Sequence, residues 1–450
     1  MTWFPQGLAY VAAALLKAGH QVEVYNQDLH HYPDQHLTQF LNQNHFDAVG
    51  VGVIAGYYQY RKLLALSKAI NESKHRPFYM IGGYGPSPEP EYFLQRTGAD
   101  AAIIGEGDLT VVELMEAVAG HLSLDQVRGI AFREGDGVVV NSRRELVQDI
   151  DSLPRPAYHL FPMEIYRLLR MPNCRPTDFV LPLLSGRGCP FKCTFCYRMD
   201  EGFRARSNEA IIEEIEFLKQ VYGVTYIAFS DELLMSSLER TASLCEDFIK
   251  ADLGIIWGCN GRLNYSRPEL LRLMKNAGCV FINYGIESLD DQVLRNMKKG
   301  LTTDQVIRGV EATLEVGITP GLNVIFGNLG DNRETLQKGV DFLIKYYDDG
   351  AQLRTIRPVT PYPGSELYYQ AMEMGLLKDC QDFYENKHLN SDLLSVNFTE
   401  MSDKEFYDSL EKANIRLIAN YFDKKKMFLW AQTRKLYREK DDSFRGFRQT

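Results

Sequence analysis

The chain has 450 residues, 45% of them hydrophobic, and a formal net charge of −9. That length exceeds one compact core and points to two or three domains, and the acidic balance argues against a dedicated nucleic-acid binder. No apolar run approaches the ~20 residues of a membrane span, and Met1-Thr2-Trp3-Phe4-Pro5 lacks a charged secretory n-region, so a cytoplasmic protein is expected.

The first third reads as alternating strand and helix. Gly7–Ala18 is amphipathic and stops at Gly19-His20. Gln21–Tyr25 has a strand pattern, Leu37–Asn42 a helical one, and Asp47–Ile54 is an apolar run suited to a buried strand. A helix over Tyr58–Asn71, a strand at Phe78–Ile81 ending in Gly82-Gly83, a helix at Glu91–Arg96 and a strand at Ala101–Ile104 ending in Gly105-Glu106-Gly107 follow. Such alternation implies a mostly parallel sheet covered on both faces. Glycines at successive strand ends mark where a ligand approaches the backbone.

Residues 126–175 read as a connector. They carry a hairpin, Gly129–Arg133 with Gly137–Asn141, and then the proline-containing Leu153-Pro154-Arg155-Pro156. From Phe179 the alternation restarts. Six strands are expected: Phe179–Leu184, Tyr226–Phe229, Ile255–Cys259, Val280–Tyr284, Thr319–Phe326 and Gln352–Thr360. One intervening helix starts at Ser207-Asn208, and another carries a Thr302/Gln305 capping box. Six units make a partial, open (β/α) barrel rather than a full one of eight. After Pro363-Gly364 the pattern is helical, with Tyr368, Tyr369, Phe383, Tyr384 and His388 as core or pocket-lid candidates. Basic residues gather near the end (Lys424, Lys425, Lys426, Arg434, Lys435, Arg438, Arg445 and Arg448). They read first as a solvated face, and otherwise as a docking surface for an acidic partner. The expected domains are 1–125, the connector 126–175, 176–370 and 371–450.

Three of the eight cysteines, Cys189, Cys193 and Cys196, fall within eight residues, just after the first barrel strand. Close-set cysteines in a cytosolic chain read as metal ligands before disulfides. The spacing Cys-x3-Cys-x2-Cys wraps three corners of an iron–sulfur cubane, and with no fourth ligand nearby one iron keeps an open position. A structural zinc site would be closed.

This loop, with aromatic Phe195 before the third cysteine, resembles the radical S-adenosylmethionine superfamily. The likeness runs from about Phe179 to Leu367. Phe229-Ser230-Asp231-Glu232, Arg262, Tyr284-Gly285-Ile286-Glu287-Ser288 with Met297, Lys299 and Gly300, and Pro361-Tyr362-Pro363-Gly364-Ser365 match its strand-end motifs. The fifth strand departs from it: Gly327-Asn328-Leu329-Gly330-Asp331 lacks the usual proline. The resemblance implies a [4Fe-4S] cluster on the three cysteines whose open iron chelates S-adenosylmethionine, one-electron cleavage to a 5′-deoxyadenosyl radical, and a flavodoxin- or ferredoxin-type electron donor. It implies cofactor contacts from Phe195, Asp231, Glu232, Arg262, Glu287 and Ser288.

The first third resembles the cobalamin-binding, Rossmann-like domain that precedes the radical domain in one subfamily. The matching pieces include Gly7-Leu8, Gly52-Val53-Ile54, Gly82-Gly83 and Gly105-Glu106-Gly107, which would line the corrin and its nucleotide tail. No Asp-x-His-x-x-Gly motif is present, and His30 and His31 fall in a polar loop, so cobalt without a protein histidine ligand is expected. The family's usual opening strand is missing before the first helix. Either the natural start lies upstream or this domain is degenerate. The implied activity is cobalamin-dependent methylation of a small-molecule carbon. The alternatives are ring closure, rearrangement or oxidation with the same cofactors, or a non-catalytic sensor. A methylthiotransferase is disfavoured, because neither its additional cysteine set nor its terminal barrel is visible.

Overall fold

The computed structural model describes residues 3–346 and 352–441. The basic residues Arg445 and Arg448 lie outside them. Strands β1 (Ala48–Gly52), β2 (Phe78–Gly82) and β3 (Ala101–Ile103) form a parallel sheet, extended antiparallel by β4 (Ile130–Glu134) and β5 (Gly137–Val140). The hairpin expected in the connector therefore belongs to the first sheet, because β4 pairs with β3 from Ala101↔Phe132 to Ile103↔Ile130.

The second sheet starts with β6 (Val180–Leu183). The chain then makes an antiparallel hairpin, β7 (Gly186–Cys189) with β8 (Gly202–Ala205). It continues through β9 (Tyr226–Phe229), β10 (Ile256–Gly261), β11 (Cys279–Glu287), β12 (Thr319–Phe326) and β13 (Arg357–Pro358). The order β13-β12-β11-β10-β9-β6 is parallel throughout, which is the open half-barrel expected from six units. Strand parity sorts its two faces. Ile282, Tyr284 and Ile286 of β11 are fully buried and join the core formed with the outer helices; Phe281, Asn283 and Gly285 look into the lumen. Those helices are capped where the sequence says: Ser207 Oγ accepts from Ala210 N at 3.1 Å, and both bonds of the Thr302/Gln305 box are present.

A separate core ties the first sheet to the segment after the barrel. Tyr60, Phe93 and Leu94 pack with Leu367, Phe383 and Tyr384, and the Tyr60 and Tyr384 rings stack at 4.6 Å. Glu385 closes this contact by accepting from Tyr60 Oη and from Arg96 Nε. Tyr368, Phe383, Tyr384 and His388 are thus core residues, whereas Tyr369 is exposed.

Two expected strands differ. Gln21–Tyr25 is extended but, among the described residues, has no ladder partner; the sheet ends at β1, and a strand pattern with no neighbour to pair with forms no ladder. Gln352–Thr360 contributes only Arg357–Pro358 to the sheet. Arg354 spends its guanidinium on the carbonyls of Tyr346 and Pro320, which anchors the rest of the segment as loop. No described helix is long and apolar enough to cross a membrane.

Candidate active site at the cysteine loop

The cysteine loop hangs between β7 and β8, at the carboxyl end of β6. It is pinned from two sides: Thr194 N donates to Met297 O at 3.0 Å, and Leu367 N donates to Thr194 O at 2.8 Å. Gly188 is the position that needs glycine. Its φ is +89°, and a Cβ there would meet Gly202 O at 2.5 Å across the hairpin. Cys193 is buried, Cys189 half-buried and Cys196 exposed. Desolvation by the crowded surroundings still pushes the Cys196 thiol up to about 12, with Cys193 and Glu287 adding to it. Among the described residues no three Cys, His, Asp or Glu side chains converge as ligands of a single ion. A cubane spreads its thiolates over separate irons, and a three-thiol loop of this size suits that spread.

Arg262, at the carboxyl end of β10, lies beside the loop. Its guanidinium stacks on Phe191 at 3.6 Å, with Nη1 3.9 Å from Cys193 Sγ. Nε and Nη2 are buried without any hydrogen-bond partner. A buried charged donor left unpaired is costly, so these nitrogens are set for an acceptor that no described residue supplies. Glu287 ends β11 at a register shift between Gly285 and Glu287, with φ +71°. A non-glycine residue held there is strained, as binding residues often are. Its carboxylate pairs with Lys299 at 2.9 Å, both nearly buried, and Lys299 Nζ stands 5.5 Å over the Phe195 ring. Ser288 Oγ accepts from Asp290 N at 3.2 Å and shapes the turn that follows.

Asp231 follows the helix-facing parity of β9. Both of its oxygens accept from Ser185, from N at 2.7 Å and from Oγ. Burial pushes its carboxyl up to about 6. Arg240 bonds Ser185 from the other side, reaching O at 2.7 Å and Oγ at 2.8 Å. Asp231 therefore sets the strand end from which the cysteine hairpin springs. Glu232 bridges two units, accepting from Gly188 N at 2.6 Å and from Tyr84 Oη at 2.5 Å. Behind them, three amides cross the lumen. Asn323 donates to Asn283 Oδ1 at 2.7 Å, Asn283 to Asn260 Oδ1 at 3.0 Å, and Asn260 to Asp231 O at 2.8 Å.

The first sheet presents its carboxyl edge to this loop. Gly83 has φ +104°, and a Cβ there would meet Val53 O at 2.6 Å; Gly105 has φ +83° with open space above it. Gly7 likewise faces nothing within 4 Å. Ile54 stands 68% exposed at the same edge, an apolar side chain that no described residue covers. Glycine backbone and a bare apolar residue form a flat, greasy ledge, which fits a macrocycle. Glu106 is turned away from it. It pairs with Arg204 at 2.7 Å and Arg187 at 3.1 Å, while Arg187 also grips Asp108 at 2.7 and 3.1 Å. The first domain thus clamps the β7–β8 hairpin that carries the cysteines.

Residues 183–343 match the Radical SAM superfamily model, and residues 1–115 match the B12 binding domain model. The chain belongs to the cobalamin-binding radical S-adenosylmethionine enzymes. This radical SAM chain is 29% identical over 378 residues to an uncharacterized methyltransferase of Pyrococcus horikoshii, covering 83% of this chain and 79% of the relative. It is 28% identical over 382 residues to an anaerobic magnesium-protoporphyrin IX monomethyl ester cyclase of Rubrivivax gelatinosus, covering 82% and 66%. Among solved structures, the radical S-adenosylmethionine methyltransferase TsrM of Kitasatospora setae, with cobalamin and a [4Fe-4S] cluster bound, superposes with a TM-score of 0.70 at 19% identity, covering 84% of this chain and 77% of that one. The fold is shared.

The structure brings Cys189, Cys193, Cys196, Phe195, Arg262 and Glu287 together at one end of the half-barrel, opposite the ledge of Gly52, Val53, Gly82, Gly83 and Gly105. Sequence reasoning missed Arg187 and Arg204, and read Asp108 only as the end of the Gly105-Glu106-Gly107 piece rather than as a partner of Arg187. Arg187 lies two residues before the first cysteine, yet a seam between units leaves no local pattern. It also missed Phe191, whose role emerges only from the Arg262 stack.

Proposed function

We propose that this radical SAM enzyme is a cobalamin-dependent methyltransferase acting on an unactivated carbon of a small-molecule substrate. The observation that carries the reading is the facing pair of sites: a three-thiol loop beside a guanidinium with two unbonded nitrogens, and a glycine ledge pinned against it by Arg187 and Arg204. Bound there, the cluster would supply the electron that cleaves S-adenosylmethionine, and the corrin would supply the methyl group. Cys189, Cys193 and Cys196 would hold the cluster by three of its corners. The free Nε and Nη2 of Arg262 take the carboxylate of S-adenosylmethionine. Glu287 accepts from its ammonium or ribose, Phe195 offers a ring face to adenine, and Ser288 keeps the Glu287 turn in shape. Glu232 holds Gly188 and hence the bite of the loop. Gly7, Leu8, Gly52, Val53, Ile54, Gly82, Gly83, Gly105 and Gly107 approach the corrin and its tail. A flavodoxin- or ferredoxin-type donor in the cytoplasm reduces the site.

The likeness to the monomethyl ester cyclase favours a second reading, in which the same cofactors close a ring without methyl transfer. The test is anaerobic turnover of reconstituted enzyme with reductant, S-adenosylmethionine and hydroxocobalamin. Release of 5′-deoxyadenosine with a product heavier by one CH2 supports methylation. Release with a product lighter by two hydrogens supports the cyclase reading. No 5′-deoxyadenosine under any condition refutes both.

A further inference from the structure

The last helix, Asp403–Arg434, packs on the barrel only through its first half. Phe406, Leu410, Ala413 and Leu417 are its buried residues, and no described residue beyond Leu417 is buried. The remaining arm, from Ile418 to Arg434, projects by ~26 Å at the ordinary helical rise. It is not a polar arm. Phe422, Met427, Phe428 and Trp430 are all exposed, Phe422 by 59% and Trp430 by 55%.

Their placement around the helix is ordered. At 3.6 residues per turn, Ile415, Ile418, Phe422 and Leu429 fall within about 60° of arc. Tyr421 and Phe428 lie on one margin of that stripe and Trp430 on the other. Lys425 and Lys426 flank it, and Lys426 Nζ stands 4.6 Å over the Trp430 ring. Arg434 and Lys435 occupy the opposite face with Lys424. Between Ile418 and Asp441 seven basic side chains stand against three acidic ones, a local +4 on a chain of −9.

We propose that this arm seats the enzyme on an anionic lipid surface. Aliphatic and phenyl side chains at the centre, aromatics with polar handles at the margins and lysines beside them make the pattern of a helix lying in a lipid interface. The lysine stems follow the apolar face while their ammonium groups reach headgroup phosphates. A second copy of the arm is the poorer occupant, because pairing two such helices would bring their lysines together. A small acidic protein would satisfy the charge but leave much of the wide apolar sector uncovered. This inference stands apart from the cofactor assignment.

The experiment is flotation of the full chain with vesicles of phosphatidylcholine alone, or with about one third phosphatidylglycerol, and Trp430 emission as a second readout. The expected result is flotation only with the anionic vesicles, with a blue shift, and at least about a hundredfold weaker binding after Lys424→Glu with Lys425→Glu and Lys426→Glu, in line with roughly fivefold per basic residue. Phe422→Asp with Leu429→Asp should abolish flotation while leaving circular dichroism and iron content unchanged, because these side chains touch no core. The proposal is overturned if the wild type stays unbound with anionic vesicles, if the Phe422/Leu429 variant floats as well as the wild type, or if the wild type is a dimer that this variant splits.

Discussion

The clamp between the two domains can be broken one charge at a time. Arg187→Met removes both bonds to Asp108, at 2.7 and 3.1 Å, and one of two partners of Glu106. It also removes the guanidinium from over the Tyr10 ring, where it sits at 5.0 Å. Asp108 is then a buried carboxylate, 5% exposed at its side chain, with no cation of its own. Breaking a buried pair from one side typically costs about 3–5 kcal/mol. Arg187 keeps 15% of its side-chain surface, so about 3 kcal/mol is expected. Asp108→Asn should cost about 2 kcal/mol, because an amide can still accept one bond from Arg187. The double variant should lose less than the sum, with a coupling of about 2 kcal/mol. Anaerobic urea titrations of the four proteins, followed by far-ultraviolet circular dichroism, give the cycle. A coupling below about 0.5 kcal/mol, the ordinary error of additivity, would refute the claim that this pair holds the domains together.

Three further changes read other parts of the molecule. His388 is fully buried with neither ring nitrogen bonded, and desolvation lowers its pKa from 6.5 to about 4. The stability that goes with its neutral ring is whole above pH 6.5 and is lost as pH falls through 4, by about 3 kcal/mol; His388→Phe should erase that slope in melts at pH 4.5 and 7.5, and an unchanged slope counts against it. Asp231 runs the other way. Its carboxyl is raised from 3.8 to about 6, so its contribution to stability should fall as pH rises from about 4 to 6, by up to about 3 kcal/mol, and Asp231→Asn should lose that contribution; each slope is read as the difference between variant and wild type. Gly83→Ala would place a Cβ 2.6 Å from Val53 O at φ +104°. It should cost at least about 1–3 kcal/mol and lower corrin absorbance per chain after hydroxocobalamin loading; equal loading and stability would show that the ledge is softer than its geometry.

What could be read from the sequence was whatever one segment decides alone. Asp47–Ile54 and Phe78–Ile81 are apolar runs, and each holds a strand, Ala48–Gly52 and Phe78–Gly82. Thr302 with Gln305 caps its helix through both bonds. What could not be read depends on a neighbour. Gln21–Tyr25 has the alternation of a strand and lacks an edge to join. Gly186-Arg187-Gly188-Cys189 has no strand pattern, yet pairs with Gly202–Ala205 because the loop between them must close. Asp231 fits a binding motif by name, but the parity of β9 turns it toward Ser185. The Asn260–Asn283–Asn323 row is invisible in a linear reading, since its members lie on three strands separated by whole helices.

The clamp also has a meaning in time. Glu106 and Asp108 stand at the start of the helix Gly107–Val118, and they leave the ribosome well before Arg187 and Arg204. Domains generally fold as units in the order of synthesis, so the acidic lip is in place when the hairpin emerges. The hairpin is then captured on one flank before the segment around Leu367, which pins Thr194 from the other, has been made. On that order of synthesis, the flank held by Arg187 and Arg204 can form before the flank held through Leu367.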